Sequence, residues 1–238
     1  MTDIAMSGKN NDSYMLDGTS SLREEIFSTS IGTYQTEHSG LASRILDGWK
    51  DMRASTRRLI GENPSEGRLL FYILLSDMIF FLSWSLKAVV APTLGAKGML
   101  PAEIGIWLIV ALFARTLAVY LFSFALGAAM RLFGGKGSWK DTRAGVFWGS
   151  IVAAPFGLFF ALVTVGFASM EGTFPILQGE IISQAPYWLS LIPFVYFISA
   201  GVAEAHNTKT TFPVFAGMTL IAMVLWFVAL YMRANGII

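Results

Sequence analysis

The sequence predicts an all-α integral membrane protein, a bundle of about five transmembrane helices preceded by a cytoplasmic N-terminal arm and an amphipathic helix. Three observations carry that expectation. Of 238 residues, 54% are hydrophobic and only 14% are charged, against roughly 25% charged in a soluble domain. Five long apolar stretches follow residue 68. The basic residues between them concentrate in alternate segments, as the positive-inside rule requires for an odd number of spans.

Residues 1–38 are polar, with Asn10, Asn11, Asp12, Asp17, Ser20 and Ser21 among scattered apolar positions. Such composition predicts a disordered arm, with a short helix around Leu22–Phe27. Residues 39–63 differ. Leu41, Ile45, Trp49, Met52, Leu59 and Ile60 recur at steps near three and four, with Lys50, Arg53, Arg57 and Arg58 mostly off that stripe. This is the pattern of an amphipathic helix. Two positions suit it: flat in the headgroup layer, or packed on the protein's own helix ends. Asn63-Pro64 ends it, because Pro disfavours a helical residue before it.

The transmembrane domain is expected over 64–238. Its first span is 69–90, ended by Pro92 and the Gly95 loop, and the others are 104–133, 145–168, 187–203 and 212–232. About 20 apolar residues cross a bilayer core. The fourth is short and contains Pro193, and Pro186 argues against an earlier start near Ile181. The first apolar run begins too late for a cleaved leader, so it is expected to act as the insertion signal. Lys50, Arg53, Arg57, Arg58 and Arg68 precede the first span, and Arg131, Lys136, Lys140 and Arg143 surround the second gap. The third gap has no Lys or Arg and carries Glu171 and Glu180, while the fourth has Lys209. This predicts a cytoplasmic N-terminus and an external C-terminus. Trp84, Trp107, Trp139, Trp188 and Trp226 fall near helix ends, where aromatic belts sit.

Two charges lie inside the spans. Asp77 falls about 12 Å into the first span and Arg115 about 16 Å into the second from the opposite side. Antiparallel neighbours bring them to similar depth. An unpaired charge there costs on the order of 2.5–3.5 kcal/mol, so the two are expected to pair, directly or through Ser76 or Thr116. The pair is either structural glue or part of a proton relay, and two ionisable groups favour glue. In the third span Gly145, Gly149, Ala153, Gly157 and Ala161 recur at every fourth position. They share one helix face and permit close backbone approach, within this bundle or in a dimer. Pro155 predicts a bend.

Little else suggests chemistry. With no cysteine, thiolate metal sites and Cys nucleophiles are excluded. A net charge of +1 argues against a nucleic-acid partner. Gly134-Gly135-Lys136-Gly137-Ser138 has Gly after the Lys and Met130 where a P-loop needs Gly, so it reads as a tight turn. His38 and His206 are the only histidines. Glu204-x-His206 supplies too few ligands for a metal, and both residues are expected to be solvated. No nucleophile motif frames the serines, so no enzyme and no cofactor is expected.

Three segments resemble the Yip family of Ypt/Rab-interacting membrane proteins, especially its prokaryotic branch. Arg57-Arg58-Leu59-Ile60, with Pro64 and Arg68-Leu69-Leu70, resembles the basic lead-in to the first span. Phe133 to Thr142 resembles the Gly-Gly-x-Gly-Ser loop before the third, and Gly201 to Asn207 resembles the small-residue turn ending in His. Asn207 stands where the family has Gly, and Phe147-Trp148-Gly149 is bulkier than its counterpart. The resemblance implies a scaffold or trafficking factor in a bacterial inner membrane, partnered by lipid and by a membrane protein or a second copy. A small GTPase partner is not assumed. The alternative is a small transporter or permease subunit using Asp77 and Arg115.

Overall fold

The computed structural model describes residues 40–90, 101–170, 172–178 and 180–235. The arm at 1–38, its expected short helix and the Gly95 loop lie outside the described residues. Among the described residues, every regular element is helical. The elements are α1 (Leu41–Lys50), α2 (Met52–Gly61), α3 (Glu66–Val90), α4 (Pro101–Leu132), α5 (Trp139–Met170), a 3₁₀ turn (Pro175–Gln178), α6 (Glu180–Leu189), α7 (Leu191–Ala205) and α8 (Phe212–Ala234). Among the described residues, three helices are long and apolar enough to cross a membrane, over Glu66–Leu86, Ile109–Leu132 and Trp139–Met170.

The single amphipathic helix expected over 39–63 is two helices. Asp51 sits between them in extended conformation (φ −147°, ψ 94°), and its carboxylate accepts from the Ala54 N–H at 3.0 Å. A short acidic side chain competes for the backbone as an N-cap, which the 3.6-residue stripe does not register. The apolar face turns inward. Met52 and Leu59 are buried, Trp49 donates to the Val152 carbonyl of α5 at 2.8 Å, and Trp148 of α5 donates to Ser55 Oγ at 3.0 Å. These contacts pack part of the apolar face against α5, while Trp49 keeps 40% of its surface exposed.

The fourth apolar stretch also differs from expectation. Helix begins at Glu180 and runs through Pro186, then breaks at Ser190. In a continuous helix the Pro193 ring would meet the Leu189 carbonyl four residues back. The break removes that clash and leaves Pro193 in the first turn of α7, where no N–H donor is needed. At 15 residues, α7 spans only about 22 Å, short of a ~30 Å hydrocarbon core.

Two asparagines and a glycine turn the chain at helix ends. Gly134 (φ 83°) and Asn207 (φ 53°) occupy the left-handed region. Around each, the bonds Gly135 N to Met130 O with Gly134 N to Arg131 O, and Thr208 N to Ala203 O with Asn207 N to Glu204 O, close Schellman motifs. Asn is the residue after Gly that best tolerates this conformation, which accounts for Asn207. Asn63 (φ 49°) turns the chain after α2 in the same region.

α5 is the central helix. It packs along α3 and α7, and buries Val146, Phe147, Trp148, Ile151 and Val152 against Leu59, Leu69, Ile73 and Val202. α4 and α8 lie at the margin. Phe113, Leu117, Leu121 and Phe124 of α4 are exposed, as are Leu220, Ile221, Val224 and Phe227 of α8.

Candidate functional site

The small-residue stripe of α5 divides into two parts. At Gly145, an added Cβ would stand 2.6 Å from the Gly201 carbonyl oxygen, and at Gly149 it would stand 2.8 Å from the Ile198 Cα. No side chain fits at either contact, so α5 and α7 meet backbone to backbone. Farther along, Ala153, Gly157 and Ala161 line a cavity of about 210 Å³. A Cβ at Gly157 would meet nothing within 4 Å. One face therefore packs a helix at one end and opens at the other.

Asp77 and Arg115 meet beside that cavity. Arg115 Nη1 forms an ion pair with Asp77 Oδ1, and Thr116 Oγ1 donates to Asp77 Oδ2 at 2.6 Å. The guanidinium also lies over the Phe80 ring, 4.6 Å from its centroid. Ser76 turns elsewhere and donates to the Ser150 carbonyl at 3.2 Å. The Asp77 side chain has no exposed surface, whereas that of Arg115 is 19% exposed, because Arg115 faces the cavity together with Ser83 and Ser190. Chemically this is one neutralised charge pair with hydroxyls nearby. It can hold a polar group in an apolar setting, but the described cavity lining offers no second ionisable group to pass a proton onward.

The densest polar cluster lies where α1, α2, the 133–138 loop and the end of α7 come together. Glu204 accepts from Arg53 Nε at 2.8 Å and Arg57 Nε at 2.5 Å. Arg53 continues to the Thr208 and Lys209 carbonyls at 2.6 and 3.0 Å. Burial alone would raise the Glu204 carboxyl, but the two arginine hydrogen bonds outweigh it and hold it below the usual carboxylate range. Hydrogen bonding to Glu204 correspondingly raises Arg57. Lys140 reaches Asn63 Oδ1 at 2.6 Å, and Arg143 pairs with Glu66.

His206, expected to be solvated, is 2% exposed. Its Nδ1 accepts from Gly137 N–H at 3.2 Å, and its Nε2 lies 2.9 Å from Thr142 Oγ1. Thr142 gives its own proton to the Ser138 carbonyl, so the neutral ring carries hydrogen on Nε2. Burial first, and then the Arg131 charge, lower the His206 pKa against a smaller opposing pull from Asp141. Gly135 and Gly137 make this burial possible, since a Cβ at Gly135 would stand 2.6 Å from Nδ1. Glu204 and His206 thus turn to different partners and do not form a shared ligand pair.

Sequence reasoning missed the joint that starts α5. Ser138 Oγ accepts from Asp141 N–H at 3.0 Å, and Asp141 Oδ2 accepts from Ser138 N–H at 3.0 Å. This is a reciprocal capping box, legible as Ser138-x-x-Asp141. The basic residues of 39–63 are largely paired, Arg44 with Glu62, Arg53 and Arg57 with Glu204, and Arg58 with Asp47. The helical periodicity reports which side a residue takes, and says nothing of acids 150 positions away. Among the expected belt residues, Trp139 stacks on Phe124 and lies under Arg131, and Trp188 meets Trp226 edge to face. No family model, curated protein or solved structure matches the chain.

Proposed function

We propose that this protein is a multi-pass membrane scaffold or assembly factor of the Yip kind, acting by protein–protein contacts rather than by catalysis. In this reading the chain crosses a bacterial inner membrane five times with its N-terminus in the cytoplasm. α3, α4 and α5 are full spans, α6 with α7 forms the fourth, and α8 forms the fifth. The observation that carries the reading is convergence. The three segments that resemble Yip sequences lie far apart in the chain, yet they meet at one end through Arg57–Glu204 and Gly137–His206. Their meeting gives the chain one continuous surface on which a partner could be held.

The platform reading is tested by photo-crosslinking in native membranes from Leu46 and Lys50, which are exposed beside this end. A reproducible protein adduct from either position is expected. Lipid adducts alone, from a chain of unchanged thermal stability, reject it. Topology is checked separately, with reporters at residues 138 and 175 expected on opposite faces.

The cavity beside Arg115 favours one second reading, a small transporter or permease subunit. Filling the cavity with Gly157→Trp is then expected to abolish solute flux in proteoliposomes. The absence of any flux altered by Gly157→Trp or Asp77→Asn removes this reading.

A further inference from the structure

A groove of about 810 Å³ runs between the end of α4 and the start of α8. Its floor is apolar, formed by Leu126 and Met130 of α4 and by Val214, Gly217 and Ile221 of α8. Its mouth is basic, formed by Lys136 and Lys209. Most arginines of the same end are neutralised within the chain. Arg44, Arg53, Arg57, Arg58, Arg68 and Arg143 are each paired with a carboxylate. Neither Lys136 nor Lys209 has an acidic partner among the described residues, and no acid lines the groove. Two cations without carboxylate partners thus line one largely apolar groove.

From this juxtaposition of a basic mouth and an apolar floor we propose that the groove holds one anionic glycerophospholipid, its phosphate between Lys136 and Lys209 and an acyl chain along α8. The dimensions agree. From Pro213 to Ile221 the helix rises about 12 Å, close to the ~15 Å of one hydrocarbon leaflet. Leu132, Phe133 and Phe212 beside the mouth are highly exposed apolar side chains, which suits the level where acyl chains begin. Basic pockets between membrane helices select anionic headgroups through the same charge attraction, and the apolar floor distinguishes a lipid from a free phosphate. The inference requires only that the helices lie in a bilayer; it needs no protein partner and no particular orientation.

The test is native mass spectrometry of the full chain exposed to equimolar phosphatidylglycerol and phosphatidylcholine. Retained phosphatidylglycerol is expected to exceed phosphatidylcholine on the order of tenfold, from two lysines near the headgroup. Lys136→Ala with Lys209→Ala should bring the ratio towards one. Gly217→Leu is a second, charge-neutral variant. Its side chain enters the groove, and its Cβ meets nothing within 4 Å, so it should lower phosphatidylglycerol retention in a folded protein. Lys50→Ala, which removes an exposed cation outside the groove, should change nothing. Equal retention of the two lipids by the unaltered chain overturns the proposal. A preference that survives the double substitution, or one that Lys50→Ala lowers as much, overturns it equally.

Discussion

The two halves of α5 use the same residue types to opposite effect. Between Gly145 and Val152 the helix is buried on all sides, meets the α7 backbone at two glycines, and receives hydrogen bonds from Trp49 and Ser76. Beyond Ala153 the same stripe faces a cavity, and Phe159 and Leu162 are exposed. In lipid, apolar area alone drives little association between helices, so close approach and hydrogen bonding decide how firmly they are held. The first half has both and works as a fixed joint. The second has space, and any movement or ligand entry between the helices belongs there.

The sharpest way to break this contrast is one substitution made twice. Gly145→Leu drives a side chain into the Gly201 backbone. It should cost about 3 kcal/mol or more or prevent folding altogether. Gly157→Leu, three turns along the same stripe, enters open space and should leave the melting temperature in detergent almost unchanged. Equal losses at the two positions would mean that the stripe is uniformly packed.

The buried charges give the next largest effect. Asp77→Asn keeps an acceptor for Thr116 but strands the Arg115 charge. A stranded charge at that depth costs on the order of 3 kcal/mol. Adding Arg115→Met removes the stranded charge and should restore most of the loss in urea or thermal unfolding. A double variant no more stable than Asp77→Asn would show that the pair is not what matters at that site.

The joint should also respond to pH, in two windows. The His206 pKa is lowered by folding, so the unfolded chain binds the proton first. Stability is full above the unfolded value near 6.5 and declines as the pH falls below it. His206→Asn, which keeps an acceptor near the Gly137 N–H, should flatten that decline. Glu204 is also lowered by folding, so its contribution is lost farther down, below the unfolded value near 4.3. Glu204→Gln should remove the lower step at a cost of about 1–2 kcal/mol, limited because the Arg57 side chain is 67% exposed. The measurement is melting temperature against pH for the three chains.

How much of this was legible in the sequence depends on the range over which the physics acts. Long apolar runs fix helices locally, and the bounds expected for the first, second, third and fifth stretches lie within a few residues of α3, α4, α5 and α8, apart from the six residues by which α5 starts earlier. That extension comes from the capping box of Ser138 and Asp141. The break at Ser190 was hidden because its cause, Pro193, reads equally well as a defect inside one helix. The division of the glycine stripe was not legible at all, since spacing of four says that residues share a face and cannot say what stands opposite. The same limit hid Glu204, whose partners lie near residue 55. Burial of His206 depends on Gly135 and Gly137, whose role emerges only when their loop meets the end of α7.

The smallest effect tests the joint at the level of single hydroxyls. Ser55 and Thr56 are adjacent on α2 and both are buried. Ser55 Oγ accepts from the Trp148 indole at 3.0 Å. Thr56 Oγ1 is buried with no hydrogen-bond partner among the described residues. A buried hydroxyl without a partner forfeits its hydration and gains nothing in return. Replacing it by a methyl of nearly the same size keeps the packing and removes the penalty. Thr56→Val should therefore stabilise the chain by about 1 kcal/mol, whereas Ser55→Ala, which leaves the Trp148 N–H unpaired, should destabilise it by about as much. The two neighbours must move the melting temperature in opposite directions. A loss at both would mean that the Thr56 hydroxyl finds a partner in the bilayer-inserted protein, and that the joint is wetter at this point than its burial suggests.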